Sequence, residues 1–370
     1  MPTRNRGHKK YASSLEATTR YKKRKIMLFF IGLGIGGQES ISEKTRKVIS
    51  ESDMVFFEQF TSPISDDETK FLRELTKGEF KLAPRWLVED GKEILDAAKN
   101  GMVALVSYGD PYIATTHIEL RVRAIQEGIK TDTIHASSAI TSLVGECGFH
   151  FYKVGKTVTV MSGIPSSTAY YAIFENLKLG NHTIVLLEWN QNKNFFLDPK
   201  EAISSLLTQE REQVRKVFSG ETYGIVASRI GQEDQKIIAA KFSTLSKLDF
   251  GQPPHTIIVP GAMHFTESDA LKVLAECIDL PEDNTPKVEK ISAQMMKKYI
   301  PMVRRALDKI TPFYKDSKEF ESVLENADLY IKDAEKFYSQ GQDELAILSI
   351  GYADGLVDAL RIAKGIEPEL

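Results

Sequence analysis

The sequence predicts an α/β protein of two domains, extended by an all-α C-terminal module. Three observations carry that prediction. From Met27 to about Ile278, short apolar runs alternate with stretches of helical period, as in strand–helix units. A polar stretch with Pro281 and Pro286 then interrupts the pattern. Beyond it only spacings of three and four persist, which mark helices alone. The expected organisation is a basic disordered tail at 1–26, α/β domains at 27–147 and 148–279, a linker at 280–290 and a three-helix module at 291–370.

The first strand, Met27–Ile31, runs into the turn Gly32-Leu33-Gly34-Ile35-Gly36-Gly37. A helix over Ile41–Ser50 and a strand over Asp53–Phe57 follow. Glu89–Asn100 reads as one helix with Gly101 as its stop. Met102–Ser107 is a strand, Thr115–Glu127 a helix and Thr131–His135 a strand, so the first sheet is expected to be largely parallel. After the connector 148–155, strands are expected at Thr157–Met161, His182–Leu187, Tyr223–Ala227, Lys236–Ala240 and His255–Val259. Helices fall near Ser167–Asn176, Pro199–Val217 and Thr266–Glu276. The module offers three stripes: Ile291, Met295, Tyr299, Val303 and Leu307; Phe320, Val323, Leu324, Ala327 and Ile331; Leu345, Leu348, Tyr352, Leu356 and Leu360. Gly341 and Asp343 read as a helix stop and a new N-cap. Gly351 and Gly355, four apart in the third helix, are expected either where another helix or a partner protein approaches closely or where the module itself packs tightly. No internal repeat is visible.

Composition excludes some classes. The 42% apolar and 27% charged fractions are those of a soluble globular chain. No apolar run reaches the roughly 18–20 residues of a membrane span, and the basic start leads into no secretory h-region. Cys147 and Cys277 have no metal-type or redox-type partner nearby, so two buried thiols in the cytoplasm are expected. A net charge of −3 provides no global field for nucleic acid. The exception is local: residues 1–25 set Arg4, Arg6, Lys9, Lys10, Arg20 and Lys22–Lys25 against Glu16 alone. That tail is either a solvated extension or an arm for RNA or the ribosome.

Two motifs carry chemistry. The glycine turn after the first strand is a phosphate cradle or simply a tight turn. Glu58, at the end of the second strand, keeps a dinucleotide reading open, although the glycines do not lead directly into a helix. Tyr108-Gly109-Asp110-Pro111-Tyr112-Ile113-Ala114-Thr115-Thr116-His117 is the stronger motif. Its Gly-Asp-Pro stands at the carboxyl end of a strand, where open α/β sheets bind ligands. There Asp110 can accept hydrogen bonds or face a cation, and Thr115 or Thr116 can cap the next helix; an ordinary type I turn accounts for the same residues.

The order Phe30-Ile31-Gly32-Leu33-Gly34, then Gly109-Asp110-Pro111 through Ala114-Thr115-Thr116-His117, resembles the diphthine synthases. Further matches are Ile134-His135-Ala136-Ser137-Ser138, the spaced set Gly148, Tyr152, Lys153, Gly155 and Lys156, and the run Pro253-Pro254-His255 to Pro260-Gly261. The wider class is the tetrapyrrole-methylase-like methyltransferases, whose two α/β domains flank a cofactor cleft. The resemblance implies S-adenosyl-L-methionine as cofactor and elongation factor 2 as protein substrate. The implied reaction is methylation, three times in the archaeal type, of the amino group on the 3-amino-3-carboxypropyl arm of a modified histidine; eukaryotic relatives also esterify the carboxylate.

Carried over by motif, the implied cofactor contacts are Ile35, Asp110, Ile113, Ser138, Ala139, Leu187, Ile230 and His255. One extra residue before Val144-Gly145 makes Ile140 the alternative to Ala139. Without the resemblance, Leu187, Ile113 and Ile230 are plain core residues and His255 a structural histidine. No metal cluster and no obvious base for the amine stand out; His117 and Asp110 are the candidates. The family implies a homodimer. The module from about Val288 resembles a small helical family of archaea, which suggests an archaeal chain. A tetrapyrrole or ribosomal-RNA methyltransferase keeps the fold and changes the substrate, and a non-catalytic interaction protein keeps only the pocket.

Overall fold

A computed structural model describes residues 26–63, 65–281 and 288–366. The basic tail and most of the linker lie outside them. The chain divides into two compact units.

The first unit comprises the chain up to Ser142 with the short segments Trp189–Phe195 and Gly231–Glu233. Its elements are β1 (Met27–Gly32), α1 (Glu43–Glu51), β2 (Met54–Glu58), α2 (Asp66–Leu75), β3 (Glu79–Ala83), α3 (Arg85–Asp90), α4 (Lys92–Ala98), β4 (Met102–Ser107), α5 (His117–Gln126) and β5 (Thr131–Ile134). The helix α6 (Ala139–Glu146) leads into the second unit. The sheet order is β3-β2-β4-β1-β5, and every pairing is parallel. An all-parallel sheet must be covered on both faces. Alternate residues of β1 do this: Leu28 and Phe30 pack with Leu87, Ile94 and Leu120 of α3, α4 and α5, while Phe29 and Ile31 pack with Val48, Ile49 and Leu72 of α1 and α2.

Two local expectations change. Glu89–Asn100 is not one helix: Gly91, at φ 66°, ends α3 and opens α4. A Cβ there would lie 2.4 Å from Leu120 Cδ1, so glycine is required by conformation and by space. Neither Thr115 nor Thr116 caps α5. Thr116 occupies the cap position without a side-chain bond, and the Thr115 hydroxyl donates to the Pro111 carbonyl at 2.5 Å.

The second unit contains β6 (Val158–Val160), α7 (Ser167–Lys178), β7 (Thr183–Leu187), α8 (Pro199–Gln213), β10 (Tyr223–Ser228), β11 (Lys236–Lys241), α9 (Phe242–Leu245), β12 (His255–Val259), α10 (Phe265–Leu274) and β13 (Glu276–Cys277), while the short ribbon of β8 (Trp189–Asn190) and β9 (Phe195–Phe196) falls almost wholly in the first unit's segment Trp189–Phe195. Its mixed sheet has the order β13-β11-β10-β12-β7-β6. The spaced motif 148–156 holds this unit together. Gly148, at φ 73°, lets the chain pass against Ala270, and Gly155 passes against Asn176. The Lys153 ammonium reaches Glu267, a fully buried carboxylate that also accepts from the His150 and His264 amides at 2.8 and 2.7 Å and from His182 Nε2 at 3.1 Å. Phe149 stacks on the His182 ring at 4.5 Å. Cys147 is buried, which pushes its thiol up to about 12, whereas Cys277 is only partly buried.

The helices α11 (Ile291–Ile310), α12 (Glu321–Ser339) and α13 (Asp343–Ala363) pack on one another around Val303, Leu307, Ala327, Ile331, Ala346, Ile350 and Val357. The first two stripes turn progressively inward. The third is out of phase: α13 buries Ala346, Ser349, Ile350, Ala353, Val357 and Leu360, leaving Leu345, Leu348 and Tyr352 exposed. Gly351 and Gly355 share that exposed side, and a Cβ at either meets nothing within 4 Å, so tight packing does not explain them. Asp343 is the first helical residue; Gln342 occupies the cap position. Among the described residues no helix is long and apolar enough to cross a membrane.

Candidate functional site

In a parallel sheet all strands deliver their carboxyl ends to one edge, so the loops after β1, β4 and β5 meet there. Gly34 and Gly109 exchange both backbone hydrogen bonds, at 3.1 and 2.9 Å. A Cβ at Gly32 would fall 2.4 Å from the Gly109 carbonyl oxygen. The glycine turn therefore serves a close approach of two loops. Its Ile35 carbonyl accepts from the Tyr108 hydroxyl at 2.7 Å and from the Gln232 amide, which also donates to Tyr108 Oη at 2.6 Å. The buried Ile35 side chain lies against Gly231.

Asp110 is 5% exposed and fully engaged. Its Oδ1 accepts from the Tyr112 amide at 2.9 Å; its Oδ2 accepts from His135 Nδ1 at 2.8 Å and from the Ala136 amide at 3.3 Å. Ile113 is half-buried on the same loop. Ser138 is buried, with its hydroxyl accepting from the Ile140 amide at 3.3 Å at the start of α6. Ala139 is exposed and Ile140 half-buried. Five expected contacts, Ile35, Asp110, Ile113, Ser138 and Ala139, thus lie on three neighbouring loops.

His117 is buried, and its Nδ1 donates to the Pro111 carbonyl at 3.0 Å. Burial pushes its pKa down to about 4, opposed by that bond. It is a strut beneath the Gly-Asp-Pro loop, not a base open to a solvent-borne amine. Glu58 also turns inward: it accepts from the Phe60 and Thr61 amides at 3.0 and 3.1 Å and from the Thr61 hydroxyl, closing its own loop, and burial raises its pKa. A ribose-binding acid is not what the second strand presents.

The second unit brings its three expected residues to one end of its sheet. His255 opens β12 opposite Ser228, whose Oγ lies 2.8 Å from His255 Nδ1, and burial lowers the His255 pKa. Leu187 ends β7 one residue past the Leu186–Thr256 pair, and the buried Ile230 follows β10. Sequence reasoning missed Tyr108 and Gln232 as fixers of the glycine turn. His135 stands in the Ile134–Ser138 motif with no role that the sequence assigns. Nothing local marks Gln232, which is 197 residues from its partner Ile35.

Residues 27–246 match the model of the tetrapyrrole (corrin/porphyrin) methylases. A diphthine synthase of Methanococcus maripaludis is 35% identical over 256 residues, which are 68% of this chain and the whole of that relative. The chain belongs to the tetrapyrrole methylases and, within them, to the diphthine synthases. A diphthine synthase of Saccharolobus solfataricus is 36% identical over 253 residues, covering 66% of this chain and 97% of that relative. A solved crystal structure of a diphthine synthase superposes with a TM-score of 0.61 at 27% identity, covering 68% of this chain and 96% of the other. As a diphthine synthase the chain is a methyltransferase of diphthamide biosynthesis. The family match includes the three site loops and Ile230, and stops before His255. The helical module matches a separate family described only as of unknown function, DUF357, over residues 298–366. It is additional to the Methanococcus relative, which 256 residues of this chain already span from end to end.

Proposed function

We propose that this methyltransferase uses S-adenosyl-L-methionine to methylate the amino group of the 3-amino-3-carboxypropyl arm on the modified histidine of elongation factor 2, three times, giving diphthine. The carrying observation is the end-to-end match to diphthine synthases together with intact glycine and Gly-Asp-Pro loops, locked to each other through Gly34 and Gly109.

The residues present fit the cofactor. At the carboxyl edge of the first sheet, half-buried Ile113 offers apolar surface, while the loop of Ser137 and Ser138 offers backbone and hydroxyl groups. Ile35, Asp110, Ile113, Ser138 and Ala139 would hold it, and the family pattern adds Leu187, Ile230 and His255. When bound, the cofactor supplies a methyl group already activated on a sulfonium. The protein's task is then to orient the amine and exclude water. The double backbone bridge and the Tyr108–Gln232–Ile35 bonds serve that task by fixing the loop conformation before ligands arrive.

Mass spectrometry of elongation factor 2 after incubation with enzyme and cofactor should show a gain of three methyl groups. No gain, alongside turnover of a porphyrinogen, would overturn this reading. Asp110→Ala frees the Tyr112 and Ala136 amides and should weaken cofactor binding at least tenfold by calorimetry, or about 1.4 kcal/mol; wild-type affinity would remove Asp110 from the site. The family's homodimer predicts twice the chain mass in sedimentation, and we place the reaction in the cytoplasm with its protein substrate.

A further inference from the structure

Methylating an amine requires its lone pair, yet an α-amino group carries a proton near neutrality. Each of the three transfers therefore needs one proton removed first, and the final trimethylammonium carries none. His117, the histidine closest in sequence to the Gly-Asp-Pro, is buried and committed to the Pro111 carbonyl. Three loops converge on the site, and the one after β5 carries another imidazole.

His135 directs Nδ1 at Asp110 Oδ2 from 2.8 Å, while its side chain remains 67% exposed. Asp110 is buried, and the Tyr112 and Ala136 amides fix both its oxygens. A carboxylate that accepts three N–H bonds leaves the proton on His135 Nδ1. The neutral ring then carries its lone pair on Nε2, on the side away from Asp110. The Tyr112 ring stands edge-on at 5.9 Å and braces the imidazole. A buried carboxylate behind an exposed imidazole fixes the tautomer and stabilises the cation formed when the ring takes a proton. Near the pair stand the Tyr112 hydroxyl, whose pKa burial raises, and Arg121 of α5, whose guanidinium lies over the Tyr112 ring at 5.5 Å.

We propose that His135 is the general base of the methyl transfer and that Asp110 is its positioning residue. This rests on the amine-methylation reading above. His135 Nε2 takes one proton from the substrate ammonium. The freed lone pair forms the N–C bond as the methyl–sulfur bond breaks, its electron pair staying on sulfur. The imidazolium then passes its proton to water, and the ring is ready for the next transfer. Asp110 keeps its charge throughout and neutralises the imidazolium.

The test uses the full chain with elongation factor 2 in single-turnover methylation across a pH range, with cofactor affinity measured in parallel. His135→Asn keeps an N–H able to reach Asp110 and removes the base. The expected result is unchanged cofactor affinity and a rate about 10²- to 10⁴-fold lower near neutrality. The deficit should shrink as pH rises, because solvent then supplies the free amine. Imidazole added to His135→Ala should restore part of the rate. A His135→Asn enzyme with the wild-type rate and pH profile would overturn the proposal. So would a loss that tracks cofactor affinity and ignores imidazole, which would make His135 a strut. If the wild type itself leaves elongation factor 2 unmethylated, the functional reading fails first and takes this proposal with it.

Discussion

Replacing Glu267 with Gln tests what the 148–156 motif is for. The Glu267 carboxylate is fully buried and accepts from Lys153, two backbone amides and His182. Burial alone would raise its pKa, but Lys153, the His150 and His264 amides and His182 outweigh it and hold the group at about 2, against 4.5 in an unfolded chain. At about 1.4 kcal/mol per pH unit, that difference is worth about 3 kcal/mol to the folded unit at neutral pH. Because the folded value is the lower one, the contribution is complete above about pH 4.5 and is lost as the pH falls toward 2. Glutamine removes it and leaves the largely covered Lys153 ammonium with the Ala262 carbonyl but no counter-charge, so a loss of about 3 to 5 kcal/mol is expected. Both tryptophans, Trp86 and Trp189, lie in the first unit and report poorly on this site. Amide exchange across residues 260–274, read by mass spectrometry, is the suitable assay. Exchange should accelerate at pH 7, and wild type and variant should converge near pH 2. Lys153→Met should cost less, because three other hydrogen bonds still hold the carboxylate. Equal protection at pH 7, or a gap that persists undiminished to pH 2, would refute the reasoning.

Two further outcomes follow from packing. Gly91→Ala puts a Cβ into a left-handed residue 2.4 Å from the buried Leu120 and should cost about 2 to 3 kcal/mol in urea unfolding; a loss under about 1 kcal/mol would show that α3 and α4 re-pack freely. In the module, Ile350→Ala should cost about 2 to 5 kcal/mol and Leu348→Ala less than about 0.5, and the reverse order would restore the stripe read from spacing.

Strands with buried apolar runs were legible: Met102–Ser107 is buried throughout, Ile257–Val259 are buried in β12, and both strands fall where those runs place them. The edge strand β3 escaped, since Glu79-Phe80-Lys81-Leu82-Ala83 is mostly uncovered and pairs with β2 alone. The helix α2 escaped although its signal was present, a capping box from Ser65 to Glu68. Spacing also misassigned α13, where alanines and a serine line the buried face and larger apolar residues stay outside. Side-chain volume, which a period ignores, decides which side of such a helix fits its neighbours. For the site, motifs located the three loops, but no local pattern reveals that His135 meets Asp110 across 25 residues or that Gln232 reaches Ile35 across 197.

That last contact governs the order in which the chain can acquire its site. The first unit is assembled from three separated stretches, and the final one, Gly231–Glu233, packs Gly231 on Ile35 and bonds Gln232 to the glycine turn. During synthesis the five strands of the first sheet are complete by Ile134, yet the turn stays without its Gln232 bonds until about a hundred more residues have emerged. At ribosomal rates of about 5 to 20 residues per second, that interval is roughly 5 to 20 s. For that interval a growing chain has all five strands but not the clasp that fixes the turn, and chains cut short before residue 231 never acquire it.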